Sequence, residues 1–265
     1  MAARSRLRGA SYSRRSNQTV NEEYDEGNWK SLLADRRWER VGSLFEYVVP
    51  PIDAMRLAKI DGRIVRIRTR DYYEFRLRKL QDLMEMNASG GDGLVELGCG
   101  WGANLFSLAL ANRWRSLRGY DVSANGVRAT NEAAAYFGVQ SVHAQQLDLT
   151  KRNQQGFREI EGATAFTYLC LEQLKYSTRL VIENLLDSGV RRVIHVEPTP
   201  ELFSWWRLTD LANRFYLTAH DYQNNLLKTL RSLEKEGRLR LTAVARLNFS
   251  PRAVNDPTLI CWVPR

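Results

Sequence analysis

Apolar and polar residues change their spacing along the 265-residue chain, and each change marks a different kind of element. Residues 1–20 (MAARSRLRGASYSRRSNQTV) carry almost no large apolar side chains, which predicts an arm without a core of its own. From Trp29 to Val49, apolar residues recur at helical spacing: Trp29, Leu32, Leu33, Trp38, Val41, Leu44, Phe45 and Val48. This predicts one helix, stopped by Pro50-Pro51. A second helix is expected over 71–86, with Tyr72, Phe75, Leu80 and Leu83 on one side and the glycines of "NASGGDG" after it. The rhythm then changes. Short apolar runs at 94–97, 118–122, 141–147, 163–169 and 191–197 alternate with helical patterns at 103–112, 124–137 and 178–187. Such alternation predicts crossover units on a parallel sheet covered on both faces. Finally "RLRLTAVARLN" alternates strictly and is followed by "TLICWVP" with no helix between them, which predicts an antiparallel finish to the sheet.

The expected fold class is therefore α/β, with a mostly parallel seven-stranded sheet, an antiparallel last strand and an N-terminal helical extension. Three units are expected: a flexible basic arm (1–28), a helical extension or lid (29–88) and a ligand-binding α/β domain (89–265) with an aromatic insertion near 200–220. Hydrophobic residues make up 44% and charged residues 26%, an ordinary globular composition. No apolar run approaches the ~20 residues that a membrane span needs. Cys99, Cys170 and Cys261 are too few and too widely spaced for a disulfide framework or a zinc site, so no metal and a reducing, cytoplasmic setting are expected. Arg14-Arg15 has the look of an export pair, but "NEEYDEG" follows where an apolar stretch is required. The formal charge of +9 is unevenly placed. Residues 1–20 hold five arginines and no acid, residues 56–80 hold nine basic and three acidic residues, and residues 93–150 hold four of each.

The chemistry centres on "VELGCGWG", residues 95–102, at the end of the first strand of the alternating region. Its glycines allow a sharp turn and close approach to a ligand, and the helix that follows offers free N–H groups. "GCGWGA" also satisfies the dinucleotide pattern, with Ala103 in the last slot. Two features favour a different ligand. Glu96 places a carboxylate where a pyrophosphate would be repelled and where a cationic amino-acid head with a sulfonium would be welcome. The G-x-G-x-G spacing also gives a wider turn than pyrophosphate contact demands.

On these residues the sequence resembles the class I S-adenosylmethionine-dependent methyltransferases, over about residues 70–265. In that family an acidic residue ending the second strand holds the ribose hydroxyls, and Asp121 in "RGYDVS" stands there, 23 residues after Gly98. Asp148 in "QQLDLT" matches the acidic residue near the adenine. "ATAFTYLCLEQL" resembles the fourth motif, with Tyr168 and Leu169 where many members are more polar. The resemblance implies S-adenosylmethionine as methyl donor, S-adenosylhomocysteine as product, and cofactor contacts at Glu96, Gly98, Cys99, Gly100, Gly102, Asp121, Val122, Asp148 and Leu149. It implies in-line displacement at the sulfonium methyl, with much of the rate coming from positioning.

Three residues are candidates for catalysis. "TAHD" at 218–221 has capping-box spacing, with Thr218 and Asp221 in the two roles. His220 is then expected in the first turn of the helix that follows, kept neutral by the dipole and able to act as a base. Glu172 after the fourth strand and Glu197 at the end of the fifth are expected to face the cleft. Tyr168, Trp205, Trp206 and Tyr222 are expected to form a substrate wall, the last three from the aromatic segment 203–222. His195, between Ile194 and Val196, reads as a core histidine, and His143 is expected toward the adenine. Cys170 reads as a buried thiol.

The leading expectation is O- or N-methylation of a small-molecule or saccharide acceptor. One alternative is an RNA methyltransferase using the basic N-terminal region, although no RNA-binding module is recognisable and no "DPPY"-like tetrapeptide follows the fourth strand. Others are a non-catalytic interaction protein on the same fold and a nicotinamide oxidoreductase. The intact glycine loop and Asp121 weigh against the non-catalytic reading.

Overall fold

The computed structural model describes residues 22–88 and 91–265. The arginine-rich stretch 1–20 lies outside the described residues. A seven-stranded sheet forms the centre. Its strands, in chain order, are β3 (Gly91–Leu97), β4 (Trp114–Asp121), β5 (Val142–Gln146), β6 (Thr164–Tyr168), β7 (Arg192–Glu197), β8 (Leu239–Arg246) and β9 (Thr258–Pro264). Across the sheet the order is β5-β4-β3-β6-β7-β9-β8. The first five strands in that order run parallel, and β9 pairs antiparallel with both β7 and β8. This is the mostly parallel sheet with an antiparallel last strand that the alternation predicted.

Strand alternation sends successive side chains to opposite faces, and a separate core covers each face. Leu94, Phe166, Ile194 and Val196 pack with helices α3 (Thr69–Asn87), α4 (Ala103–Ala109) and α5 (Ala124–Tyr136). Val95, Leu97, Ala165 and Val193 pack with α6 (Gln155–Glu159), α7 (Thr178–Asp187) and α9 (Leu226–Lys235). Helix α9 earns its place through Leu226, Leu227, Leu230 and Leu233, all buried.

The N-terminal region departs from the expected single helix over Trp29–Val49. Residues Glu22–Trp29 form a π-helix, followed by α1 (Lys30–Asp35), a 3₁₀ turn at Arg37–Arg40 and α2 (Leu44–Val48). The breaks have local causes. Arg36 adopts a left-handed conformation (φ 42°), and Val41 is extended. Ser43 restarts the helix by accepting a hydrogen bond from the Glu46 N–H. The apolar spacing is satisfied by wrapping these pieces around the fully buried Trp38 and Tyr47.

The helical extension also contains a β-hairpin that periodicity did not reveal. Strands β1 (Met55–Ile60) and β2 (Arg63–Arg68) pair around Asp61 (φ 49°) and Gly62 (φ 78°). Two consecutive left-handed residues in an Asp-Gly pair make the tight turn suited to twisted strands. The hairpin joins the loop after β8: Lys59 and Ser250 exchange backbone hydrogen bonds, and Lys59 Nζ meets Asp256 at 2.6 Å, with both side chains buried.

Near 200–222 a second correction applies. Helix α8 (Leu208–Ala219) ends where the capping box was expected to begin one. His220 is its C-cap, and Asp221 (φ 52°) reverses the chain before α9 opens at Leu226. Thr218 already lies inside α8, so it cannot cap a later helix.

Candidate functional site

A cavity of about 330 Å³ opens at the carboxyl ends of β3, β4, β5 and β6. This is where the chain switches from building the sheet on one side of β3 to building it on the other, the usual ligand crevice of open α/β sheets.

The glycine loop forms its floor. Gly98 has φ +80°, and a Cβ built there would stand 2.1 Å from Cys170 Sγ, so glycine is demanded by both conformation and space. The N–H groups of Gly98 and Cys99 both donate to the Tyr120 carbonyl. This binds the loop to the end of β4 and to Asp121. One Asp121 oxygen accepts the Gly100 N–H at 2.7 Å and the other the Ser123 N–H at 2.8 Å. Burial raises the Asp121 carboxyl above its usual range, with the backbone donors opposing it. Each oxygen of a carboxylate has a further lone pair, so Asp121 can still receive two hydroxyls side by side.

Of the residues singled out by sequence, the cavity brings together Gly98, Cys99, Gly100, Asp121, Val122, Asp148, Leu149 and Tyr168. Asp148 Oδ1 accepts the backbone N–H and the hydroxyl of Thr150, which fixes the turn after β5. Gly102 (φ +79°) sits one step behind the wall as the N-cap of α4.

Glu96 also lies behind the wall. The pleat of β3 points it away from Val95 and Leu97, to a fully buried position where Oε1 accepts the Asn104 amide at 2.6 Å. Oε2 has no hydrogen-bond partner among the described residues. Burial pushes its carboxyl up to about 8, against the Asn104 hydrogen bond and the nearby Arg76. Burial thus favours the neutral carboxyl over the charged carboxylate at this position.

The other candidates separate from the cavity. Glu197 is buried and accepts the N–H groups of Cys170, Leu171 and Glu172, so it shapes the loop after β6 that borders the cavity. Burial raises its carboxyl to about 7. Glu172 is buried, with its carboxylate accepting from the Gln173 and Asn255 amides. His220 is exposed, with Nδ1 donating to the Tyr216 carbonyl, and it lies outside the cavity wall. Trp205 and Trp206 are exposed and also outside it, while Tyr222 is buried in a small cluster with Phe203 and Leu217. His143 is exposed on β5, the edge strand. His195 is a core histidine: its Nε2 accepts from the Trp262 indole N–H, so Nδ1 carries the proton toward Thr167. Cys170, expected to be a buried thiol, is instead half-buried and lines the cavity, and desolvation there raises its thiol well above the usual range, which disfavours the thiolate.

Several wall residues escaped the sequence reading. Tyr24, Asp25 and Trp29 come from the N-terminal π-helix; the first two lie in the stretch expected to be a flexible arm, and Trp29 was expected only as an apolar position of the first helix. Asp25 Oδ1 accepts from the Ser123 hydroxyl and the Asn125 N–H, and so caps α5 from outside. Gly100 faces the Trp29 ring, which a Cβ would approach to 3.0 Å. From α3, Arg76 reaches the wall, stacks its guanidinium 4.6 Å from the Tyr168 ring centroid and hydrogen-bonds Asn104 Oδ1. Arg76 belongs to the basic stretch 56–80, but nothing in its spacing distinguishes it from its neighbours. Asn104, in the first turn after the glycine loop, was the one with a positional signal.

No protein-family model matches the chain, and no curated protein sequence matches it. Solved structures do. Magnesium protoporphyrin IX methyltransferase from Synechocystis PCC 6803 with bound SAH superposes at a TM-score of 0.59 with 12% identity, covering 94% of this chain and 100% of that one. The same enzyme with bound SAM gives 0.55 at 14% identity, covering 94% and 96%. A [4+2]-cyclase, SpnF, gives 0.55 at 18% identity, covering 88% and 76%. The chain thus has the Rossmann-like fold of class I methyltransferases. That likeness is one of fold, and the cyclase belongs to the same group of neighbours.

Proposed function

We propose that the chain is an S-adenosylmethionine-dependent methyltransferase acting on a small-molecule acceptor. The observation that carries this reading is the coupling of the glycine loop to Asp121 at the floor of the cavity. The loop N–H of Gly100 and the N–H of Ser123 hold both carboxylate oxygens in place where Asp121 lines the cavity. Such a preset carboxylate suits the vicinal hydroxyls of a ribose. Asp148 and Leu149 border the place of the base, and Val122 its ring face. Bound there, the cofactor would supply an electrophilic methyl group on a sulfonium.

The residues of this chain then have distinct tasks. Asp121 orients the nucleoside. Gly98 and Gly100 bring backbone close to the ligand, and Trp29 covers that part of the loop. Arg76 and Tyr168, stacked on each other, border the end of the cavity next to the acceptor side. Glu197 holds the Cys170–Glu172 backbone that shapes the same side. Because His220, Glu172 and Glu197 all stand outside the wall, positioning of the two reactants is the main catalytic device, and an acceptor ionised at working pH needs no protein base.

Isothermal titration with S-adenosylmethionine tests the first half. Binding to the folded chain is expected, and Asp121→Ala is expected to weaken it by about 10–100-fold, the usual worth of hydrogen bonds to a charged group. Absence of binding by the folded wild type sinks the reading. An RNA acceptor predicts steeply salt-dependent substrate binding, whereas a small neutral acceptor predicts little salt dependence.

A further inference from the structure

Helix α8 is amphipathic in the reverse sense. A surface helix in water normally turns its apolar stripe to the core. Here the residues turned inward are Asp210, Asn213 and Leu217. The two polar ones are fully engaged. Asp210 forms a two-pronged ion pair with Arg246, both contacts 2.7 Å, and Asn213 Oδ1 accepts the Asp256 N–H at 2.9 Å. The helix is thus fixed to the body by specific polar bonds, and its register is not free to roll. Outward it presents Leu208, 84% exposed, and Phe215, 77% exposed, with Leu211 between them. Just before the helix, Trp206 is 94% exposed and Trp205 65% exposed. The Arg214 guanidinium lies 4.0 Å from the Trp205 ring centroid, which props that indole outward.

The charge of the segment is one-sided. Between Ser204 and His220 the basic residues are Arg207 and Arg214, and the single acid, Asp210, is buried against Arg246. An apolar face with two exposed tryptophans, rimmed by arginine and free of exposed carboxylates, has the composition of an interfacial helix that lies in a headgroup layer. No helix among the described residues is long and apolar enough to cross a membrane, so attachment through this face is peripheral. We propose that the Trp205–Phe215 face docks the protein onto an anionic phospholipid surface. The aromatic and leucine side chains enter the headgroup boundary, and Arg207 meets lipid phosphate. The inference is independent of the methyl donor, since these residues stand outside the cavity.

The test is co-sedimentation of the full chain with vesicles of phosphatidylcholine alone and of phosphatidylcholine mixed with phosphatidylglycerol, read alongside tryptophan emission. Partition onto the mixed vesicles with a blue-shifted emission is expected, with weak partition onto the neutral ones. The paired substitution Trp206→Ser, Phe215→Ser is expected to lower partition by about tenfold or more, because two inserted rings are lost. Arg207→Glu is expected to lower it on mixed vesicles alone. All three positions are exposed, so the melting temperature reports that the variants remain folded. Equal partition of wild type and paired variant overturns the proposal, as does failure of the wild type to bind mixed vesicles. A dimer in sedimentation that the paired variant dissociates, without vesicle binding, assigns the face to a second copy and also overturns it.

Discussion

Glu96, in the first parallel strand, shows how burial changes what a carboxyl does. Glu96 has a folded-state value near 8, well above its ordinary 4.5, with burial as the largest cause. A group protonated more readily in the native state takes up a proton on folding between these values. Stability is then fully present below the unfolded value and is lost as pH rises toward the folded one. For one proton the slope approaches about 1.4 kcal/mol per pH unit within the window. Glu96→Gln mimics the protonated form and keeps an acceptor for Asn104. Denaturant melts of this variant are expected to match wild type near pH 4.5 and to exceed it increasingly toward pH 8. Parallel pH profiles for the two proteins would show that Glu96 is ionised in the native chain. Gly98 is the second residue-scale case. Gly98→Ala combines a positive φ with a Cβ 2.1 Å from Cys170 Sγ, so a loss of at least ~2 kcal/mol is expected in the same melts.

Elements were legible in the sequence wherever one face alone decided burial. The five parallel strands, α5 and α7 show a clean apolar rhythm because each presents a single stripe or a continuous run to a core. The hairpin escaped because β2 (RIVRIR) alternates arginine with apolar residues in a stretch that reads as a charge run. The Asp61-Gly62 turn was its one clear signal. The break of the first helix escaped because Trp38, Val41, Phe45 and Val48 keep helical spacing while the backbone turns between them. The position of His220 was misread for a related reason. Tyr222 continues the leucine rhythm of α9, yet it packs with Phe203 and Leu217 from the preceding segment. At this scale the buried Lys59–Asp256 pair fastens the hairpin to the loop that carries Pro251 into the cavity wall. Asp256→Asn leaves the Lys59 ammonium buried without its partner, and a loss of about 3–5 kcal/mol is expected. Replacing both residues with apolar ones of similar size is expected to recover most of it, and the double-mutant cycle measures the coupling.

At the scale of the whole molecule, the cavity is assembled from parts that lie far apart in the chain, and this explains which half of the site was readable. The glycine loop, Asp121 and Asp148 are local features at strand ends, so the order of motifs revealed them. Asp25, Trp29 and Arg76 reach the same cavity from elements outside the sheet, and only the folded chain brings them there. Asp25 is the fastening of this outer part. Its carboxylate accepts from Ser123 and Asn125, while Asp121, two residues before Ser123, faces the cavity. A ligand that contacts both Asp121 and the Trp29 ring would therefore bind the segment 22–29 and the sheet to one another. Ligand-linked protection follows: the segment opens less often by an amount set by ligand concentration over Kd. Hydrogen exchange of residues 22–29 is expected to slow on adding S-adenosylhomocysteine, and Asp25→Ala is expected to speed it in the free protein while leaving exchange in β6 and β7 unchanged. Exchange in 22–29 that ignores both the ligand and the substitution would show that the segment does not close over the cavity. Slowing in the wild type with its loss in Asp25→Ala would make this segment the cover of the site, built by a stretch whose composition gives no hint of that task.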